Sequence, residues 1–316
     1  MDQRIKWIDN LKGIGIISVV AGHIFMGDFI KVIFLFHMPL FFFLGGYLFK
    51  TNSDYWEFFK KKSSHLLIPY SAFLVLIYVP QALLQISQNS NTSLLKVFLR
   101  PILGGQFLIE WTGVFWFITC FFLVRQILNW LICRLNHYQV SFTMIIFIVL
   151  AYVNSILFPT LWLPWNAHVI LAASPIFFIG YMYKTNSYEI NTLLNLFLAV
   201  IAVFLCYYIP FNSLNMKITE YGIPVLTIVS SLILILNLIT LSKYLINFAF
   251  ITSIISLLGS ASMVIMYLHQ PIHFILKDYL HMDVFFIFLS ALTVPLSFWH
   301  FLRKSSWSRK LFLGET

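Results

Sequence analysis

The chain has 316 residues, of which 60% are hydrophobic and 10% are charged. A soluble domain carries about 25% charged residues, so the composition excludes an ordinary soluble fold. The net charge of +9 is interpreted as a signal of membrane topology, because nucleic-acid binding would need a basic patch on a folded polar surface.

Apolar runs recur along the whole chain with short polar breaks between them. Each run is close to the ~20 residues that a helix needs to cross the hydrocarbon, whereas a β-barrel would show alternating segments of about ten residues. The sequence therefore predicts an all-α integral membrane protein with about ten transmembrane helices in a single domain over residues 1–316. The runs cover residues 13–30, 32–49, 66–86, 114–132, 142–158, 168–184, 192–210, 222–241, 250–276 and 284–302.

The distribution of basic residues sets the expected orientation. With the N-terminus inside, most Lys and Arg residues fall on cytoplasmic segments, which the positive-inside rule favours. The outer segments then keep Lys31, Lys96, Arg100, Lys217 and Lys277. We expect both termini to be cytoplasmic and the first run to be a retained span and not a cleaved signal peptide.

The first run carries a polar stripe. Eleven residues separate Lys12 from His23, which at ~100° and ~1.5 Å per residue places both on one helix face, about 16 Å apart. His37 returns to a similar depth in the next run, so we expect the two imidazoles to approach each other. A histidine that only bonds across helices, and a lysine that snorkels from a helix end, are the alternative interpretations.

Asp9 shares the face of Lys12 and His23, and its position predicts a cap for the helix that follows. In the second run Pro39 interrupts the backbone hydrogen bonds of the helix. Gly45 and Gly46 allow the close approach of another helix or a ligand. From spacing alone we interpret this glycine pair as a packing feature.

Three further segments allow two interpretations each. The connection 87–113 is either a functional loop or an interfacial re-entrant turn. The segment 50–65 is either an amphipathic stretch on the membrane surface or a set of positive-inside lysines. His269, late in the ninth run, is either an acceptor-site group or an interfacial histidine.

Several blocks of sequence together resemble one family. "IDNLKGIGIISVVAGH", "FLFHMPLFFFLGGYLF", "LLIPY", "GVFWFITCFF" and "LGSASMVIMYLHQPI" occur in the order found in the membrane-bound acyltransferase 3 family, near its fucose O-acetylase-like branch. The resemblance implies about ten transmembrane helices. It also implies acyl transfer, most often of acetyl from cytoplasmic acetyl-CoA, to sugar hydroxyls of surface polysaccharides or lipid-linked precursors.

The resemblance implies roles for the matching residues. A basic residue, ten positions and then a histidine are matched by Lys12 and His23, which implies a catalytic His23 and a place for Lys12 in the CoA-side site. His37 matches the second-helix block and is the second candidate catalytic residue. Lys12 and Arg4 also lie on the side where a cytosolic thioester with phosphates would arrive, and basic groups hold phosphates.

Other positions match the family in part. Lys62 and His65 stand where the family more often has two arginines. A neutral histidine does not form the paired hydrogen bonds to phosphate that an arginine guanidinium forms. Gly45 precedes Gly46 where the family more often has serine. Trp116 matches the fourth-helix signature of the family.

Chemistry supports the same role for His23, because a hydroxyl acceptor needs a base and the pKa of histidine, ~6.5, suits that task near neutral pH. We expect an O-acetyltransferase that uses acetyl-CoA and no metal, acts on a glycan or lipid-linked saccharide, and resides in a bacterial cytoplasmic membrane among lipids. No nucleic-acid partner is expected. The alternative is a polytopic carrier that exports a lipid-linked sugar or small solute, which should show broken helices at corresponding positions of two halves.

Overall fold

The computed structural model describes residues 5–88, 93–186, 191–210 and 212–315. Within these ranges the chain is helical, and its β-structure is limited to one isolated bridge between Asn215 and Glu220. The helices are α1 Lys6–Ile24, α2 Phe29–Tyr47, α3 Tyr55–Gln88, α4 Leu94–Leu103, α5 Trp116–Arg134, α6 His137–Leu157, α7 Ile170–Asn186, α8 Thr192–Tyr208, α9 Leu226–Tyr244, α10 Ala249–Ser260, α11 Ser262–Phe274 and α12 Val284–Leu302.

In the described ranges, seven helices are long and apolar enough to cross a membrane, and α10 with α11, bent by 76°, would make an eighth span. The helix α8 has 17 residues, and α1 carries polar residues in its first two turns, so neither is among the seven. The predicted apolar runs all overlap helices, and the multi-pass helical class is confirmed. Ten crossings and cytoplasmic termini stay predictions.

The helix α3 differs from the expectation for its sequence. Its 34 residues form one helix, about 51 Å long at ~1.5 Å per residue, whereas the hydrocarbon core is ~30 Å thick. Residues 55–65 are therefore the first turns of α3 and not a separate surface segment. These first turns are nevertheless exposed on one side and buried on another, since Trp56 is 66% exposed and Phe58 is 2% exposed.

The prediction that Asp9 caps the first helix is wrong. The helix α1 begins at Lys6, with Ile5 as its N-cap residue, and Asp9 lies inside the first turn. The buried apolar surface of α1 extends beyond Asp9 toward the N-terminus, because Ile8 is buried in the core. A carboxylate in this turn still interacts favourably with the helix dipole.

Glycines fix the distance between the central helices. A side chain at Gly46 would collide with the Phe177 carbonyl of α7, and one at Gly180 would collide with the Phe43 carbonyl of α2. The two backbones therefore touch at two reciprocal points, which we call the α2–α7 seam. The interpretation of Gly46 as a packing residue is confirmed, because only hydrogen fits there.

The helix α1 packs in the same way against α10, where Gly13 faces the Ile255 carbonyl and Gly259 faces the Asp9 carbonyl. Buried Asn10 donates to the Ser242 carbonyl at 3.3 Å and to Thr252 Oγ1 at 3.3 Å. The position of α1 is thus fixed by backbone contacts and by polar bonds across the bundle.

Candidate functional site

A cavity of about 650 Å³ lies inside the bundle, walled by α1, α2, α5 and α11. It has the size of a small-molecule site. Lys12 and Arg125 line one part, which we call the basic end. Glu110, Asn215 and Lys217, from two connecting segments, line another part, which we call the loop end. The lining between them is mostly apolar.

His23 lies on the cavity wall, close to the last residue of α1. Lys12 lines the same cavity from the same helix, so the shared face that the spacing predicts is the face turned to the cavity. The His23 ring lies 5.3 Å from the His269 ring, measured between centroids, with 35° between the two planes. The polar stripe of α1 therefore reaches a second histidine.

His269 is fully buried, so its interpretation as an interfacial histidine is wrong. The sequence suggests one straight span over residues 250–276, but the chain bends by 76° between α10 and α11. This bend directs His269 into the bundle. The Nδ1 of His269 lies 2.9 Å from the Ile265 carbonyl oxygen. A carbonyl oxygen can only accept a hydrogen bond, so Nδ1 carries a proton and donates the hydrogen bond. The lone pair of the neutral ring is then on Nε2, which has no hydrogen-bond partner.

His37 is also buried and lines the cavity. From the sequence we expect His37 to approach His23, but Phe34 lies between them, 4.8 Å from His37 and 6.3 Å from His23 between ring centroids. His37 Nδ1 donates to the Ile33 carbonyl at 2.9 Å. In the neutral ring Nε2 can therefore only accept a hydrogen bond, so it cannot donate one to a transition-state oxyanion.

Arg125 forms the basic end together with Lys12. Its guanidinium carbon lies 5.7 Å from the Phe49 ring and 5.6 Å from the Phe121 ring, and its Nε is buried without a hydrogen-bond partner. Lys12 Nζ lies 4.0 Å from Asp9 Oδ1. Arg125 is half-buried, and its buried, unsatisfied Nε–H is suited to bind an anionic group that enters the cavity.

The sequence interpretation of Arg125 as a positive-inside residue missed this position. Its depth was an available signal, since about nine residues, or ~14 Å, separate it from the end of α5. A basic residue that far inside a helix faces a cavity or a partner more often than lipid.

Of the other predicted donor-site residues, Lys62 lies near enough to Arg125 for their positive charges to repel each other. Lys62 and His65 do not line the cavity. The Lys62 ammonium lies 5.3 Å from the Phe58 ring, and His65 Nδ1 contacts the Gly314 carbonyl of the C-terminal segment. Arg4 lies outside the described residues.

Two predicted supporting residues do line the cavity. Gly45 faces it where a side chain would meet Phe177 Cε2 at 2.8 Å and collide with Phe121. Trp116 is the first residue of α5, is 5% exposed and also contributes to the wall. Both residues therefore shape the space between the basic end and His23.

The loop end is formed by backbone segments with unusual conformations. Its Glu110 lies in the connection 87–113, for which the sequence allowed a functional loop without indicating a particular residue. Glu110 has a φ of 51°, a left-handed value that is rare for a residue other than glycine. Lys217 Nζ donates to the Leu108 carbonyl at 3.1 Å. Burial lowers the pKa of the Lys217 ammonium to about 8.

Comparison with known proteins gives one match. The family model described as an acyltransferase domain, that of the acyltransferase 3 family, matches residues 5–302. This range contains the cavity and its histidines. No curated protein and no solved structure matches the chain.

Proposed function

The chain belongs to the acyltransferase 3 family, and we propose that this membrane acyltransferase moves acetyl from acetyl-CoA to a hydroxyl of a cell-surface or lipid-linked glycan. One observation carries the proposal: His23 stands on the wall of a cavity with buried positive charge at one part and mixed polar groups at another. A donor that carries phosphates needs positive charge around it, whereas an acceptor that carries hydroxyls needs groups that donate and accept hydrogen bonds.

The donor fits the basic end. Acetyl-CoA carries phosphates at one end and a thioester at the other, and Arg125 offers an unsatisfied buried N–H beside Lys12. The ~16 Å between Lys12 and His23 along α1 is lined mainly by apolar side chains, among them Ile16, Val19 and Phe41. An extended, largely uncharged arm fits this stretch.

The reaction needs a base, and His23 takes that role. The acceptor hydroxyl loses its proton to His23 as its oxygen attacks the acyl carbon of the thioester. The new C–O bond forms and the C–S bond breaks. The leaving thiolate then takes the proton from the imidazolium of His23, so the base is regenerated.

His269 supports this proton transfer. Its Nδ1 is committed to the Ile265 carbonyl, so the unpartnered Nε2 can accept an N–H from the neighbouring ring of His23. An acceptor in this place holds one tautomer of His23 and stabilises the imidazolium. His37, the other candidate catalytic residue, offers a second Nε2 lone pair on the same cavity wall.

With the N-terminus cytoplasmic, the basic end faces the cytoplasm, where acetyl-CoA is made, and the loop end faces outward. The proposed location is a bacterial cytoplasmic membrane, with the glycan acceptor on its far side. A carrier would instead need broken helices at matched positions of two halves. Within the described residues, one pair of helices, α10 with α11, is bent enough to form a broken span.

His23→Ala tests the proposal. In membranes supplied with acetyl-CoA, glycan O-acetylation measured by mass spectrometry should fall about 10²- to 10⁴-fold, the contribution of a general base. His300→Ala, at an exposed histidine of α12, is the matched control and should keep full activity. Equal O-acetylation by His23→Ala and wild type at equal protein levels would contradict the assignment.

A further inference from the structure

The loop end combines one carboxylate and one amine that are held apart by different partners. Glu110 Oε2 accepts from Gln81 Nε2 at 3.1 Å and from Gln85 Nε2 at 3.2 Å. Lys217 is bonded to the Leu108 carbonyl. No ion pair joins Glu110 to Lys217 in the part of the chain that the structure describes, so neither charge is neutralised by the other.

The position of Glu110 is rigidly set. Gln81, which binds its carboxylate, also donates to the Ile109 carbonyl at 3.2 Å and accepts from Thr112 Oγ1 at 3.3 Å. The left-handed backbone at Glu110 costs free energy that the surrounding bonds must offset, and such conformations cluster at binding sites. The network fixes Oε2 and leaves Oε1 without a partner among the described bonds.

The two charged groups line the same cavity as His23. A side chain at Gly113 would lie 3.1 Å from the Glu110 carbonyl and 3.4 Å from Lys217 Nζ, so the amine sits against the segment that carries the carboxylate. The turn Glu110–Thr112 packs on α11. On that helix Gln270 lines the cavity, next to His269.

We propose that Glu110, with Lys217 opposite, is the acceptor-binding pair and selects an uncharged, polyhydroxylated ring, such as a neutral sugar; this inference rests on the proposed acyl transfer. A hydroxyl both donates and accepts, so neighbouring hydroxyls can donate to Glu110 Oε1 and accept from Lys217 Nζ. The wall of Trp116 gives an apolar surface for the C–H face of such a ring. An acceptor with its own carboxylate would meet the like charge of Glu110.

The first test is kinetic and uses the full-length protein in detergent with acetyl-CoA and methyl α-fucoside. In Glu110→Gln the KM for the glycoside should rise at least about tenfold, the loss expected from one charge-assisted hydrogen bond. The KM for acetyl-CoA and its hydrolysis without acceptor should stay within about twofold. Glu220→Gln, an exposed glutamate that does not line the cavity, is the control. An unchanged glycoside KM in Glu110→Gln would overturn the inference.

The second test needs no variant, so a folding defect cannot obscure it. Wild type should acetylate methyl glucoside at least about tenfold faster than methyl glucuronide, which differs by a carboxylate. Equal rates, or transfer to neither glycoside while acetyl-CoA is turned over, would overturn the inference and leave acyl transfer standing. No turnover of acetyl-CoA at all would overturn both proposals.

Discussion

The basic end and the loop end of the cavity differ in how they are built. The basic end takes Lys12 and Arg125 from the regular helices α1 and α5, and both charges have the same sign. The loop end takes Glu110 and Lys217 from single helical turns, and its charges are opposite. A helix holds a fixed anion site, whereas connecting segments can change their side chains with little effect on the bundle. We therefore expect substitutions at the basic end to disturb the helix bundle more than substitutions at the loop end.

The largest expected effect concerns the basic end. Arg125→Ala removes the buried guanidinium, and the KM for acetyl-CoA should rise about 10- to 100-fold, because charge-assisted hydrogen bonds contribute about 1.5–3 kcal/mol. The KM for a glycoside acceptor should stay unchanged. Initial-rate kinetics with each substrate varied in turn measures both values.

Arg125→Lys is the matched control for charge without the planar fork, and it should recover part of the donor affinity. A rise of the acceptor KM equal to that of the donor KM in Arg125→Ala would show that the two ends are not separate sites.

A smaller effect concerns pH at the loop end. With a pKa of about 8, the Lys217 ammonium predominates at pH 7 and loses its proton as the pH rises through 8. Between pH 7 and pH 9 the acceptor KM of wild type should therefore rise, by about tenfold if the charge is required. The other titratable side chains that line the cavity are those of Lys12, His23, His37, Glu110 and Arg125.

Lys217→Met has no ammonium to lose, so its acceptor KM should be high already at pH 7 and flat up to pH 9. A wild-type profile that is flat over this interval, or a Lys217→Met profile that keeps the rise, would remove Lys217 from the acceptor site.

The smallest effect is expected for the residues that match the family's paired-basic motif in part. Lys62 and His65 are half-buried and do not line the cavity, so Lys62→Ala and His65→Ala should each change the KM for acetyl-CoA by less than about twofold, because neither side chain would contact a donor bound there. A tenfold rise in either variant would extend the basic end from Arg125 to the start of α3.

The sequence predicted the helical membrane class and the shared face of Lys12 and His23, because both depend on local periodicity and composition. It did not predict the pairing of His23 with His269, since this contact depends on the bend between α10 and α11. Nor did it predict Glu110 and Lys217 as a pair, because Lys217 is held by a hydrogen bond to Leu108, 109 residues away along the chain, and Glu110 by bonds to Gln81 and Gln85 of α3. Arg125 was recognisable by depth, but the positive-inside rule gave a sufficient explanation for its charge.

The α2–α7 seam has a consequence for how reactants move. Since the two backbones approach closely at Gly46 and Gly180, α2 cannot slide or tilt against α7 without losing these contacts, and we expect the wall that carries His37 to keep its position during turnover. The proposed donor and acceptor would then both reach His23 past a wall of α2 that keeps its position against α7.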